Sequence, residues 1–286
     1  MRRILIALLS VGILFSCSDD GINFFTLEQD IQFGAQLDSA IMANPSEYPI
    51  LDRTQYPEAY THIERIMNAI LSSNDLRYSK TFPWQVKIIM NDDVLNAFTA
   101  PGGYLYFYTG LIKFLDNEAQ LAGVMAHEIA HADRRHSTQM LTRQYGFSML
   151  FSIIMGDNPS QLEQILSQLA LGGTMLKYSR DNEYEADKYA VTYLYDTDYY
   201  PRELAAFFEK MNSSTKIPEF LSTHPSDENR IKNIDDVWKN FGSRGGETYV
   251  ERYQQFKNSL PRKDADGIER TATSKGGCSA IFISIF

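Results

Sequence analysis

Cysteine is nearly absent: Cys17 and Cys278 are the two in 286 residues. Two thiols allow one bridge at most, which argues against a disulfide-stapled fold in any compartment. Positive charge is also scarce. Lys and Arg number 27 against 36 Asp and Glu, giving a formal charge of −9 and a pI near 5.1. No basic stripe offsets that balance, so nucleic acid is not an expected partner. Apolar runs long enough to span a bilayer are missing, as is any repeat of roughly 20 to 50 residues that would build a helical array. What remains is 44% hydrophobic and 22% charged residues, enough for one full core.

The first residues carry a signal. Arg2 and Arg3 precede an almost unbroken apolar run from Ile4 to Phe15, too short for a membrane span and suited to the h-region of a secretory signal. It ends in Leu14-Phe15-Ser16-Cys17, which resembles the lipobox of bacterial lipoproteins. That resemblance implies cleavage before Cys17 and diacylglycerol on its sulfur, which leaves Cys278 without a partner. An uncleaved anchor and a plain signal peptide are the alternatives. The expected organisation is a signal peptide over 1–16, a lipidated tether over 17–27, a folded domain over 28–260 and a poorly ordered tail over 261–286. The tail closes on the short apolar stretch Ile281 to Phe286, for which no function is evident.

Thr26 followed by Gln29 reads as a capping box opening a helix to about Met42. Pro57 suits the first turn of a second helix, with Ile63, Ile66, Met67 and Ile70 on one face. Trp84 to Met90 predicts a buried strand, and Asn96 to Tyr108 two short strands around Pro101-Gly102-Gly103. Leu105 and Phe107 alternate with Tyr104, Tyr106 and Tyr108, so both faces of the latter strand should be covered. From Asn117 the pattern is helical, with further helices expected over 182–195, 201–211, 226–238 and 247–260. Phe147 to Met155 is strongly apolar; a membrane-dipping segment is conceivable, but its length predicts a buried core helix.

His127-Glu128-Ile129-Ala130-His131 has the form H-E-x-x-H. Residues four apart stand one above the other on a helix, so both imidazoles reach one ion. Glu128 lies beside them, placed to take a proton from water activated by a metal. The small or apolar Ala126, Ile129 and Ala130 suit a buried ligand helix. A third ligand is needed. His136, in Arg134-Arg135-His136, reads as a solvated helix end, whereas Glu183-Tyr184-Glu185-Ala186-Asp187 puts Glu183 and Asp187 on one helical face. One carboxylate there suits the metal and the other the free N–H of a ligand histidine. His62 reads as a surface or boundary residue, and the tyrosines at 193, 195, 199 and 200 as core and boundary packing rather than a cleft lining.

These motifs, with Asn96-Ala97-Phe98, Thr109-Gly110-Leu111, Ser179-Arg180 and Thr223-His224-Pro225 followed by Arg230, resemble the HtpX-like and BepA-like zinc metallopeptidases. Those are relatives of the type I CAAX prenyl endopeptidases and the mitochondrial Oma peptidases. The resemblance covers roughly residues 96 to 231. It implies one zinc per chain with Glu183 as third ligand, Asp187 orienting His127, Arg230 supporting the site, and His224 near the metal. His224 would either steady the tetrahedral intermediate or cap the resting zinc. The chain lacks the membrane-spanning helices of some branches and the helical repeats of another, so it looks like a small lipoprotein member.

The expected fold is α+β and mostly helical, a zincin-type (gluzincin) domain with a small β-sheet beside the ligand helix. The expected function is a zinc metalloendopeptidase acting on unfolded or misassembled proteins in the bacterial cell envelope, held to a membrane by lipid. The rival is a chaperone-like binding protein with a structural zinc site. Glu128 favours catalysis, because a structural site needs no base.

Overall fold

The computed structural model describes residues 23–171, 176–213, 219–225, 228–263 and 269–270. The expected signal, Cys17, Cys278 and most of the expected tail lie outside the described residues. In chain order come α1 (Leu27–Ala43), α2 (Pro57–Leu71), β1 (Gln85–Ile89), β2 (Ala97–Ala100), β3 (Tyr104–Tyr108), α3 (Thr109–Phe114) and α4 (Glu118–Asp133). There follow α5 (His136–Tyr145), α6 (Phe147–Ile154), α7 (Pro159–Leu171), α8 (Arg180–Tyr195), α9 (Glu203–Ser213) and α10 (Phe220–Thr223). The last elements among the described residues are α11 (Glu228–Asn240), α12 (Val250–Ser259) and the short antiparallel pair β4 (Arg262–Lys263) and β5 (Glu269–Arg270). The fold is mostly helical with a three-stranded sheet, as the sequence predicts.

Local chemistry explains the starts of the elements that matter most. The Thr26 hydroxyl accepts from Gln29 N and the Gln29 side chain from Thr26 N, the reciprocal box that satisfies two orphan donors of α1. Asn117 caps α4 by accepting from Gln120 N, and Ser179 caps α8 by accepting from Asn182 N. These two caps set the first turns of the helices that carry the site.

The sheet has the order β1-β3-β2, with β1 parallel and β2 antiparallel to β3. Gly102 and Gly103 turn β2 into β3 at φ 77° and 90°, where a side chain would be strained. A Cβ on Gly102 would also meet Ile31 Cα at 2.7 Å, so α1 closes directly over this turn. The central strand separates two apolar clusters by its two-residue period. Leu105 and Phe107 join the cluster built on α2, α4, α8 and α9. Tyr104, Tyr106 and Tyr108 join the other, with α1 and the buried side chains of α5, α6 and α7.

α4 is buried along its whole length, which is why it is so rich in small residues. Gly123 lies where a Cβ would stand 3.0 Å from Leu204 Cα, so a side chain there would push α9 away. At its first residue the buried Glu118 carboxylate receives Arg65, Arg252 and the Tyr199 hydroxyl. Negative charge at a helix N-terminus also complements the helix dipole. Tyr193 and Tyr199 are buried and Tyr195 and Tyr200 half-buried, the packing role expected of them. His62 is half-buried and stacks on Phe256 at 5.4 Å.

The expectation for Phe147 to Met155 is corrected. Leu150, Ile153 and Ile154 enter the core, but Phe147, Met149, Phe151 and Met155 face solvent. The helix is apolar on both sides, and hydrophobicity alone does not reveal which side finds a neighbour. No helix among the described residues is long and apolar enough to cross a membrane.

Candidate metal centre and active site

α4 and α8 pack against each other, and the faces bearing His127, His131 and Glu183 turn towards one another. His127 and His131 leave α4 one turn apart, with Nε2 atoms at 2.9 Å. Glu183 on α8 brings Oε2 to 3.6 Å from His127 Nε2 and Oε1 to 3.6 Å from His131 Nε2. His224, at the end of α10, adds Nδ1 at 3.1 Å from Glu183 Oε1 and 3.3 Å from His127 Nε2. One donor atom from each of the four lies within 4.8 Å of the others, and all four residues are buried.

This donor set fits zinc, which takes imidazole nitrogens and carboxylate oxygens. The fit extends to the backs of the rings. Asp187 Oδ1 faces His127 Nδ1 at 2.9 Å and draws the ring proton to that side, which leaves the Nε2 lone pair aimed at the centre. On the other ring, Glu185 Oε2 lies 3.2 Å from His136 Nε2, and His136 Nδ1 lies 3.0 Å from His131 Nδ1. With Glu185 accepting from His136, His136 accepts from His131, and the His131 Nε2 lone pair also faces inward. Burial, the largest effect on either ring, holds both imidazoles below the usual histidine range and hence neutral, the form that binds metal.

His136 is therefore not a solvated helix end; it is 1% exposed and packed edge-on to His131. The reason lies at Arg135, which adopts a left-handed conformation at φ 61° between α4 and α5. A continuous helix would swing residue 136 off the ligand face, and this break turns it back. The unfavourable backbone is held by the Arg135 guanidinium, which binds buried Asp30 at 2.5 Å and donates to the Thr26 carbonyl at 3.2 Å.

Arg230 on α11 lies between the two α8 carboxylates. Its Nη1 is 2.6 Å from Glu183 Oε2, its Nη2 donates to Asp187 Oδ1 at 2.6 Å, and its Nε donates to Asp187 Oδ2 at 2.8 Å. Burial would raise both carboxyls, yet the guanidinium overcomes it and keeps Glu183 and Asp187 below their ordinary values. Phe208 stacks on the other side of the guanidinium at 4.1 Å. Glu128 differs. Burial dominates there and pushes its carboxyl up to about 7, with His224 Nε2 at 3.3 Å from Oε1.

Tyr178 covers the remaining side. Its ring stacks on His131 at 3.8 Å, its hydroxyl meets Ser137 Oγ at 2.9 Å, and its N–H donates to the Thr223 carbonyl at 3.2 Å. The residues before α8 thus join the loop that carries His224, whose ring stacks on Phe220 at 4.2 Å. The sequence gives no periodic signal for Tyr178, which lies in irregular chain, and Glu185 lies off the helical face that Glu183 and Asp187 share.

Residues 57–237 match Peptidase family M48. The chain belongs to that family. Peptidases of that family are zinc-dependent, and the cluster of His127, His131, Glu183 and His224 is consistent with one zinc. The β-barrel assembly-enhancing protease of Escherichia coli K12 is 33% identical over 156 residues, covering 50% of this chain and 32% of its own length. A mitochondrial metalloendopeptidase OMA1 of Arabidopsis thaliana is 32% identical over 151 residues, covering 52% of this chain and 30% of its own. The mitochondrial metalloendopeptidase OMA1 of Homo sapiens is 25% identical over 267 residues, covering 82% and 49%. The chain therefore spans from about a third to about half the length of these relatives.

Proposed function

We propose that this M48 chain is an endopeptidase that cuts internal bonds of misfolded or misassembled bacterial envelope proteins while held to a membrane by lipid on Cys17. The observation that carries the catalytic part is Glu128, a buried carboxyl beside the two α4 histidines with its proton affinity raised to about 7. A structural site has no use for such a group. Its envelope setting is supported by the signal and lipobox pattern and by the similarity to a protease named for β-barrel assembly.

His127 Nε2, His131 Nε2 and a Glu183 oxygen would hold the zinc. When bound, zinc supplies a Lewis acid that activates water near neutral pH and polarises a carbonyl. Glu128 takes the proton of the attacking water and returns it to the leaving amine; an affinity near 7 serves both directions. Asp187 holds the His127 ring, the Glu185–His136 pair holds the His131 ring, and Arg230 keeps two buried carboxylates ionised. His224 occupies the fourth side of the donor set and contacts Glu128, which supports a capping role in this closed arrangement. Substrate entry then requires the loop bearing His224 to swing away with its contact to Tyr178.

The decisive experiment is casein cleavage by the purified protein with and without a zinc chelator, beside Glu128→Gln. Wild type should cleave only without chelator. Glu128→Gln should bind zinc normally and lose roughly a hundredfold or more of the rate. Glu128→Gln activity within about tenfold of wild type would remove the proposed base.

A further inference from the structure

An eight-residue helix away from the metal centre is apolar on the side that no part of the described protein covers. From Gln144 to Gly156 the chain has no charged residue. In α6, Leu150, Ile153 and Ile154 enter the core, and Gln32 and Gln36 of α1 donate to the Ile154 carbonyl, so the helix is firmly docked. The opposite stripe, Phe147, Phe151 and Met155 at four-residue spacing, remains 44%, 39% and 58% exposed, with Met149 at 42% beside it. Phe24 extends the patch, itself 58% exposed, with its ring 5.9 Å from that of Phe147. Phe147 in turn lies 5.9 Å from Phe151. A contiguous group of this kind, kept in water at a cost, marks a binding surface.

We propose that this face is an interfacial membrane contact, in which the α6 side chains and Phe24 enter the headgroup and upper acyl region of a bilayer. The segment that precedes the patch points to its occupant. Six residues separate Cys17 from Phe24, so seven steps along the chain reach at most roughly 25 Å when fully extended. A lipid on Cys17 would therefore hold the bilayer surface within that distance of the patch. The proposal rests on the lipid-anchor reading for this argument alone. α6 is too short to span, at about 12 Å, but suits a position lying in the interface. Its large exposed side chains are aromatic or thioether, and Ser148 is the exposed hydroxyl among them. The neighbouring charges, exposed Glu28, Arg143 and Asp157, form no cationic rim. Attachment should come from apolar insertion and not from anionic lipid.

The test uses the chain from Ser18 onward, which retains every described residue and carries no lipid. It should co-sediment with phosphatidylcholine vesicles, and binding should persist at about 0.5 M salt, where surface electrostatics are screened. Met149→Gln combined with Met155→Gln, both exposed and outside the ring cluster, should lower vesicle partitioning about tenfold with thermal unfolding unchanged. Phe151→Trp should show blue-shifted emission on vesicles, quenched by brominated acyl chains. Absence of vesicle binding at millimolar lipid would overturn the proposal. So would salt-reversible binding, or a dimer in place of vesicle binding that Met149→Gln with Met155→Gln dissociates. The anchor is read separately from the mass of the Cys17 peptide in the natural host. A lipid-free Cys17 with vesicle binding refutes the anchor and supports the α6 contact; a lipidated Cys17 without vesicle binding does the reverse.

Discussion

His136 Nδ1 lies 3.0 Å from His131 Nδ1, on the side of the ring opposite the metal centre. The contact fixes which nitrogen of His131 carries its proton and how the ring is turned. Substituting a group in this position weakens metal binding without removing a ligand. His136→Ala should therefore lower zinc affinity about 10- to 100-fold. Glu185→Gln, which still hydrogen bonds His136, should have a smaller effect. Competition with a chromophoric chelator measures both, and wild-type affinity in His136→Ala would leave His131 oriented by other means.

Arg230 is buried and binds two buried carboxylates. Its removal leaves both negative charges in low dielectric, so Arg230→Leu should destabilise the zinc-free protein by about 3–5 kcal/mol. Adding Asp187→Asn removes one stranded charge and should restore part of the loss. Denaturant midpoints compare wild type with the two variants. A double variant no more stable than Arg230→Leu alone would show that packing on Phe208, and not charge, is what Arg230 contributes.

Much of this site is legible in the sequence because its parts obey a helical period. His127 with His131 and Glu183 with Asp187 are each four apart, so spacing alone puts each pair on one face. The alternation in Tyr104 to Tyr108 likewise shows a strand covered on both sides. His136 was not legible in this way. Its position depends on a left-handed residue at Arg135, whose cost is met by Asp30 more than a hundred positions earlier. Tyr178 reaches His131 from irregular chain, where no period exists. In α6 the sequence shows an apolar segment, and only tertiary contacts show that one stripe stays outside.

The Glu118 cluster gives a pH prediction. Burial would raise this carboxyl, but Arg65, Arg252 and Tyr199 prevail and hold it below its ordinary 4.5. A depressed folded value means that the stabilisation is present above about pH 4.5 and lost as pH falls through the folded value. Glu118→Gln should cost about 2 kcal/mol at pH 7, since the arginines remain partly exposed. The gap between wild type and Glu118→Gln should narrow as pH drops from 7 towards 3. A gap independent of pH would assign the effect to hydrogen-bond geometry rather than charge.

His224 carries opposite predictions for its two roles. Its ring lies 3.3 Å from Glu128 Oε1 and 3.1 Å from Glu183 Oε1, so it stands between the proposed base and a proposed metal ligand. Water and a substrate carbonyl need that same space. As a cap, His224 excludes both until its loop moves, and His224→Ala should raise turnover. If the capped form prevails about ten to one, the gain is about tenfold. As an oxyanion donor it would instead contribute to the rate, and His224→Ala should lower turnover with zinc retained. The loop contacts favour the cap: Phe220 stacks on the ring, and Tyr178 N–H binds the Thr223 carbonyl next to it. Tyr178→Ala keeps that N–H but removes the ring packed 5.1 Å from the His224 ring, and it should raise turnover too while His224 is still present. Cleavage of an unfolded substrate, normalised to bound zinc, separates the roles. Faster turnover in both variants supports the cap, and a fall in His224→Ala assigns the ring to the transition state.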